Sequence, residues 1–580
     1  HPCRIEDIRR ELPNAGKNNL KNALDALIAD GRVMKNKKNR FAVSAHYGCA
    51  AGTYLATERA FAFVAPDYPE GEAKPDDLFI PPNASGGAWH GDRVEVALQP
   101  APQHRGGKMR NSEGRIIRVL ERRQKELAVH VTRNQTPRGV LCRPADPRLD
   151  FLLDVDVSAL KAAPKIGELL LVTPEEKVED GLWRGTARVS LGLEEDAMVQ
   201  ERLTKLNHEI PLDFPPNVLA EAAELEKRAA EGAADLGGLK PLDGVEDALP
   251  IDQVSKASTS KRQDLRGVPF VTIDGEDARD FDDAVYVRRL PGAPDGAVWE
   301  LWVAIADVSH FVLPGSRLDR EARDRGNSYY FPTSVEPMLP EVLSNGLCSL
   351  RPDEDRLAML AEIPFSATGQ PGKPRFAAVV MRSAARLTYD QVKACLLDGD
   401  EQARAALAAG PRGQEVLDML ETAFELYRCL REARQRRGSL DFDLPEPEYS
   451  FDDKGRLLRV SRRVRHDAHR LIEEFMIAAN EAVARHLGGL KADGSPEGGP
   501  KEPFLYRVHP QPDPERLESL FDSLEAIDPE LVPVKPAASA LQGILRDVQG
   551  SDREFLVGRL CLRAMPQARY QPENEGHFGL

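Results

Sequence analysis

The apolar positions of this chain fall into three regimes of spacing. Near the start, Leu20, Leu24, Leu27 and Ile28 recur at helical spacing, and the pattern stops at Gly31. Val33-Met34 and Phe41-Ala42-Val43 then flank Lys35-Asn36-Lys37-Lys38-Asn39-Arg40. A helix followed by a short hairpin predicts a small winged helix over residues 4–43, with a basic tip suited to phosphate contacts. From residue 48 the period falls to two. Short apolar runs at 52–55, 60–64, 78–80 and 93–96 predict one all-β domain, and runs at 127–131, 139–143, 151–155, 168–172 and 183–189 predict a second of the same kind. Beyond residue 215 the pattern is mixed. Helices are expected at 215–231, 316–325, 414–437, from Asp467 onward, and near 515–527 and 551–565, with strands on either side of residue 275 and at 299–305. Residues 232–262, rich in Gly, Ala, Ser, Asp and Lys, read as a long surface connection, and 488–502 as a Gly/Pro/Lys loop.

Within the first β region, alternation puts Phe61 and Phe63 on one face and Ala60, Ala62 and Val64 on the other. An outward aromatic pair on a small barrel can stack single-stranded bases, at roughly 1–3 kcal/mol per base. The second β region offers only Phe151 and Trp183, where packing competes with stacking.

Composition narrows the class. At 580 residues the chain should hold several domains. No apolar window is long enough for a membrane span. The 7 cysteines are scattered, odd in number and never spaced C-x-x-C, so neither a zinc site nor a disulfide framework is expected, and a reducing cytoplasm fits. A net charge of −15 argues against a generic nucleic-acid binder, yet residues 1–50 carry ten Lys/Arg against five Asp/Glu.

The stretch with the strongest chemistry is Thr272-Ile273-Asp274-Gly275-Glu276-Asp277-Ala278-Arg279-Asp280-Phe281-Asp282-Asp283, set between two apolar runs. Strands on either side would hold its carboxylates together, and like charges at about 4 Å repel by roughly 1–4 kcal/mol. Raised pKa values or a bound cation must offset that. Oxygen donors without His or Cys favour a hard ion, and the spacing is not that of an EF-hand. No phosphate-binding P-loop, Gly-x-Ser-x-Gly or zinc-protease pattern competes.

This string resembles the signature of the ribonuclease II/ribonuclease R (RNB) family, and Gly-Glu-Asp-Ala-Arg together with the winged helix is similar to its ribonuclease R branch rather than to ribonuclease II. The resemblance covers nearly the whole chain. It implies an α+β multidomain fold: a winged helix-turn-helix at 1–46, two cold-shock-like OB barrels at 47–120 and 121–195, and a mixed α/β RNB catalytic domain at 196–580. It implies a processive 3′→5′ exoribonuclease that hydrolyses single-stranded and structured RNA to nucleoside 5′-monophosphates by two-metal-ion catalysis. The expected metal is Mg²⁺, with Mn²⁺ as substitute, held by the catalytic aspartates Asp274, Asp280, Asp282 and Asp283; Glu276 and Asp277 are not carried over. Tyr330 in Tyr-Phe-Pro and Phe442 match the family's clamp on the RNA 3′ end. Phe61, Phe63 and Arg465 are the further RNA contacts, and no chemistry is assigned to His469. Expected partners are single-stranded RNA and, beyond it, the ribosome or RNA-decay factors, for a cytoplasmic monomer that needs no ATP. The alternative is an RNA-binding regulator whose barrels work and whose nuclease is silent. Family members continue past Gly576-His577-Phe578-Gly579-Leu580 into a motif carrying a catalytic arginine and an S1 domain, so the chain is expected to be a fragment of a longer enzyme.

Overall fold

The computed structural model describes the chain from Cys3 to His577 apart from residues 4, 12–19, 22, 25–26, 28–32, 36–39, 44–48, 60, 69–74, 100–112, 134–135, 180, 232–261, 294–295, 443–444, 453–455, 491–503 and 534–537. The basic tip at 36–39, Ile28, and most of the stretches at 232–262 and 488–502 therefore lie outside the described residues. Two compact units result, His1–Ile210 with Phe451–Leu457, and Pro211–Ser450 with Leu458–Leu580.

In the first unit, β1 (Val33–Lys35) and β2 (Phe41–Val43) form an antiparallel hairpin, and Cys3 bridges to Phe41. Leu20, Leu24 and Phe41 bury together, with Ile5 and Ile8 of the helix Ile5–Glu11 against them. A closed five-stranded barrel follows: β3 (Cys49–Ala56), β4 (Ala62–Pro66), β5 (Leu78–Ile80), β6 (Arg93–Gln99) and β7 (Glu113–Glu121). Ala62, Val64, Leu78 and Ile80 fill its core. A second closed barrel comprises β8 (Leu127–Arg133), β9 (Gly139–Pro144), β10 (Leu152–Asp156), β11 (Glu168–Glu179) and β12 (Leu182–Leu193). Closing five strands into a barrel, the OB-type arrangement, removes the open edges that a flat sheet would leave.

Trp89, between β5 and β6, reaches into the core of the second barrel. Its ring stacks on Phe151 at 5.0 Å and meets Trp183 edge-on at 5.0 Å. The fully buried Asp92 accepts hydrogen bonds from the Trp89 N–H at 2.7 Å and from Arg122 at 2.6 Å, which locks the insertion. Phe151 and Trp183 are thus packing residues. The helix Ala197–Asn207, capped by Asp196, covers the same barrel with Val199 and Leu203.

The second unit is built on a third closed barrel of β13 (Gln263–Asp274), β14 (Asp283–Arg289) and β15 (Ala297–Ala306), completed later in the chain. Between them stand the helix Arg317–Arg325, the hairpin β16 (Tyr329–Tyr330) with β17 (Val335–Glu336), and then β18 (Asp355–Ser366) and β19 (Arg375–Thr388). The barrel closes by parallel pairing of β13 with β19, which sets Asp274 opposite Thr388. Its strands are buried on both faces. Val271, Ile273, Val285, Val287, Leu301 and Val303 pack against the helices Gly413–Arg437 and Asp467–Gly488. Phe270, Ala284, Trp302, Ala304 and Leu360 join a separate cluster with Val218, Ala222 and Leu225 of the helix Pro216–Glu231. Two-sided burial explains why these strands read as unbroken apolar runs rather than as alternation. The two long helices end at Gly438 and Gly489, both at positive φ, where glycine avoids the Cβ clash.

Candidate active site at a barrel rim

β13 ends on Asp274 and β14 begins on Asp283, so residues 275–282 make a loop at one rim of the third barrel. That loop is pinned by its middle. The Phe281 side chain is buried, and its N–H donates to Ser349 Oγ at 3.1 Å. Ser349 Oγ in turn donates to the Arg279 carbonyl at 2.8 Å, and the Leu350 N–H donates to the Phe281 carbonyl at 2.9 Å. The Asp282 carbonyl accepts from the Ala306 N–H at 2.9 Å. Asp280 and Asp282 are thereby held on either side of a fixed anchor, and Glu276 and Asp277 stand exposed outside it.

Asp274, Asp282 and Asp283 are all raised above the ordinary carboxylate value. Burial, then the Asp283 charge, pushes Asp274 up to about 7, with smaller contributions from Asp280 and Asp282 and an opposing one from Arg386. Burial and then Asp282 push Asp283 up to about 6. Lost hydration of its carboxyl first, and then the Asp280 charge, raise Asp282. Burial is the larger cause in each case, and the crowding of like charges adds to it. Among the described residues, none of the four aspartates forms an ion pair with a basic side chain, and Asp274 Oδ2 is buried without a hydrogen-bond partner. Nor, among the described residues, is any group of three or more His, Cys, Asp or Glu side chains already arranged to hold a metal ion. The fold brings the carboxylates to one rim without gathering them around one point.

Two tyrosines border this rim. Tyr330, 69% exposed on β16, donates its hydroxyl to Asp280 Oδ2 at 3.1 Å. Tyr389, the first residue of the helix Tyr389–Leu396, feels the charges of Asp274 and Asp283, and burial first and then those charges push its phenol up to about 12. Its ring stacks on His469 at 4.2 Å, and His469 lies 4.1 Å from His466. Burial and the neighbouring His466 push His469 down to about 4, so it is a neutral packing partner at neutral pH. Sequence reading overlooked Tyr389. Its signal was the parallel pairing that sets Thr388 beside Asp274, which local sequence does not reveal.

The RNB domain family model matches residues 262–580, and the ribonuclease B OB domain model matches residues 52–119. The chain belongs to the RNB family. It is 34% identical to ribonuclease R of Vibrio parahaemolyticus, over 100% of this chain and 63% of that protein. It is 35% identical to ribonuclease R of Escherichia coli K12, over 100% of this chain and 65% of that one. The chain thus spans somewhat less than two thirds of the length of these curated relatives. Among solved structures, Mycoplasma genitalium RNase R in complex with ribose-methylated single-stranded RNA superposes with a TM-score of 0.69 at 24% identity, covering 91% of this chain and 74% of that one. Yeast Ssd1, described as a pseudonuclease, superposes at 0.53 with 16% identity over 98% of this chain and 67% of that one. An RNB fold therefore occurs with and without a working nuclease, and chemistry must be argued from the rim itself.

The remaining candidates of this RNB chain fall in two other places. Phe61, Phe63 and Phe79 form a partly exposed aromatic cluster on the outer face of the first barrel, with ring centres 5.8–5.9 Å apart. Phe442 and Arg465 share a cavity of about 260 Å³ with Arg431, Arg434 and Arg470. Phe442 packs there against the cluster that includes Leu440, Leu520 and Phe521, and makes no ring contact with Tyr330 among the described residues. Arg465 donates to Asp441 at 3.0 Å and is also paired with Glu473, so an RNA phosphate would have to displace carboxylates to reach it. Among the described residues, no helix is long and apolar enough to cross a membrane.

Proposed function

We propose that this chain is a 3′→5′ exoribonuclease that shortens single-stranded RNA, and structured RNA entered from a single-stranded end, processively to nucleoside 5′-monophosphates. The observation that carries this reading is the set of aspartates at one barrel rim, where burial and then neighbouring carboxylates raise Asp274 and Asp283 and one buried oxygen of Asp274 has no partner. An all-carboxylate donor set suits a hard divalent ion, Mg²⁺ with Mn²⁺ as substitute. Asp274, Asp280, Asp282 and Asp283 would hold it, and a two-metal arrangement is the form we favour. Such ions supply Lewis-acid stabilisation of phosphoryl charge and an activated water. The chain's own groups do the rest. Tyr330 and Phe442 bear on the terminal nucleotides, Phe61 and Phe63 with Phe79 stack incoming bases, and Arg465 meets phosphate. Mycoplasma genitalium RNase R forms complexes with single-stranded and with double-stranded RNA, which supports an RNA substrate here. We further propose a cytoplasmic monomer acting alongside the ribosome or RNA-decay factors.

The competing reading is an RNA-binding regulator with a silent nuclease, and the presence of all four aspartates favours the enzyme. RNA labelled at its 5′ end and incubated with Mg²⁺ should yield a ladder shortening from the 3′ end, and EDTA should stop it. Asp282→Asn should abolish cleavage while RNA affinity persists. Shortening from the 5′ end, or activity indifferent to EDTA, would overturn the mechanism; RNA binding with no cleavage under any divalent ion would favour the regulator.

A further inference from the structure

A rim crowded with carboxylates needs something to hold its main chain in shape before any ion arrives. The obvious device, a salt bridge to each aspartate, would occupy the oxygens that an ion requires. The chain avoids this. Arg386 lies on β19, paired in register with Thr272 of β13, two residues ahead of Asp274. Its Nη2 donates to the carbonyl oxygens of Gly275 and Glu276, each at 2.6 Å. Its guanidinium also sits 5.6 Å from the centre of the buried Phe281 ring, within cation–π range. One guanidinium nitrogen therefore bridges the two carbonyls at the entry to the loop, and the guanidinium lies near its central anchor. The cation is thereby seated on the carbonyl of Gly275, the residue next to Asp274. Among the described residues it is bonded to none of the four aspartate side chains.

We propose that Arg386 is a positioning residue for the acidic loop: it fixes the main chain that follows Asp274 and supplies positive charge beside the carboxylates without covering their oxygens, leaving them free for a hard divalent cation. This rests on the metal-site reading above. Outer partners that orient ligands typically change metal affinity 10–100-fold when removed. Two opposite expectations separate the possible roles. If the grip on the loop dominates, losing it weakens ion binding. If charge alone matters, removing a cation strengthens it.

The test is direct Mn²⁺ binding to the full chain without RNA, followed by electron paramagnetic resonance at neutral pH, with thermal melting in parallel. Arg386→Met should bind Mn²⁺ about 10–100-fold more weakly than the parent, and Arg386→Lys, which keeps the charge and can still donate to carbonyls, should recover most of the loss. Arg386→Gln serves where Arg386→Met does not fold, with the same direction expected. Equal or tighter Mn²⁺ binding by the folded variant, with or without a lower melting temperature, would overturn the proposal. Asp282→Asn is the control. If the parent chain and Asp282→Asn bind Mn²⁺ alike, or neither binds it, the metal reading of the aspartates fails and Arg386 loses its role with it; if the parent binds and Arg386→Met binds as well, only the Arg386 proposal falls.

Discussion

At the scale of single residues, burial first and then repulsion between carboxylates make the rim sensitive to pH. Asp274 near 7 and Asp283 near 6 stand well above the ordinary carboxylate value of 3.8. The folded chain therefore keeps protons that the unfolded chain has released. By linkage these groups favour the fold fully below about pH 4, and their contribution is lost as pH rises through 6 and 7. Without metal, the melting temperature should fall between about pH 5 and pH 8, and added Mg²⁺ should restore more at the upper end, where it no longer competes with protons. Asp283→Asn should raise the metal-free melting temperature and abolish cleavage together, as expected where function is installed at the expense of stability. A calorimetric scan at each pH checks both. Tyr330 has two separable features, an exposed ring and a hydroxyl bonded to Asp280. Tyr330→Phe should keep the length of the final RNA product while changing the divalent-ion requirement, whereas Tyr330→Ala should lengthen the final product; an end-product gel distinguishes them.

Among the elements, the two small barrels use the same five-stranded closure for different ends. In the first, alternation along β4 and β5 buries Ala62, Val64, Leu78 and Ile80 and turns Phe61, Phe63 and Phe79 outward. Phe63→Ala should therefore weaken single-stranded RNA binding by about 1–3 kcal/mol and leave the melting curve nearly unchanged. In the second barrel the aromatic rings are filled by Trp89. Trp89→Ala should destabilise the fold by about 3–5 kcal/mol, with binding loss following unfolding. Filter binding beside a urea titration reads the two effects apart. The aromatic positions of both barrels were legible in the sequence, but their roles were not. Strand period tells which face a ring is on; whether a neighbour covers that face depends on a loop residue inserted from the preceding barrel.

For the whole molecule, each unit has a core of its own, and the aspartates depend on only one of them. Phe475, fully buried in the helix Asp467–Gly488, belongs to the cluster that backs β13 and β14. Phe475→Ala should cost about 3–5 kcal/mol in that unit and reduce cleavage in proportion to the unfolded fraction, while the first barrel keeps its affinity for short RNA. Limited proteolysis should nick the second unit first. Loss of RNA binding in step with cleavage would mean that the two units do not unfold separately. The acidic total of −15 is compatible with RNA as substrate, because affinity depends on where cations lie and not on their sum.

The sequence by itself determined the kinds of element, their approximate limits and the identity of the acidic loop. Periods of two and 3.6 are local, and a string such as Asp274–Asp283 is contiguous, so both survive in one dimension. The family resemblance left Glu276 and Asp277 out, and both stand exposed. What the sequence left open were the relations made by long-range pairing. The parallel closure of β13 on β19 brought Arg386 and Tyr389 to the loop from more than a hundred residues away. Tertiary packing likewise turned His469 into a stacked neutral ring, gave Phe151 and Trp183 to the core, and paired Arg465 with carboxylates. Charge is written in the sequence, whereas the distance between charges, which sets their energy, is decided only when the barrel closes.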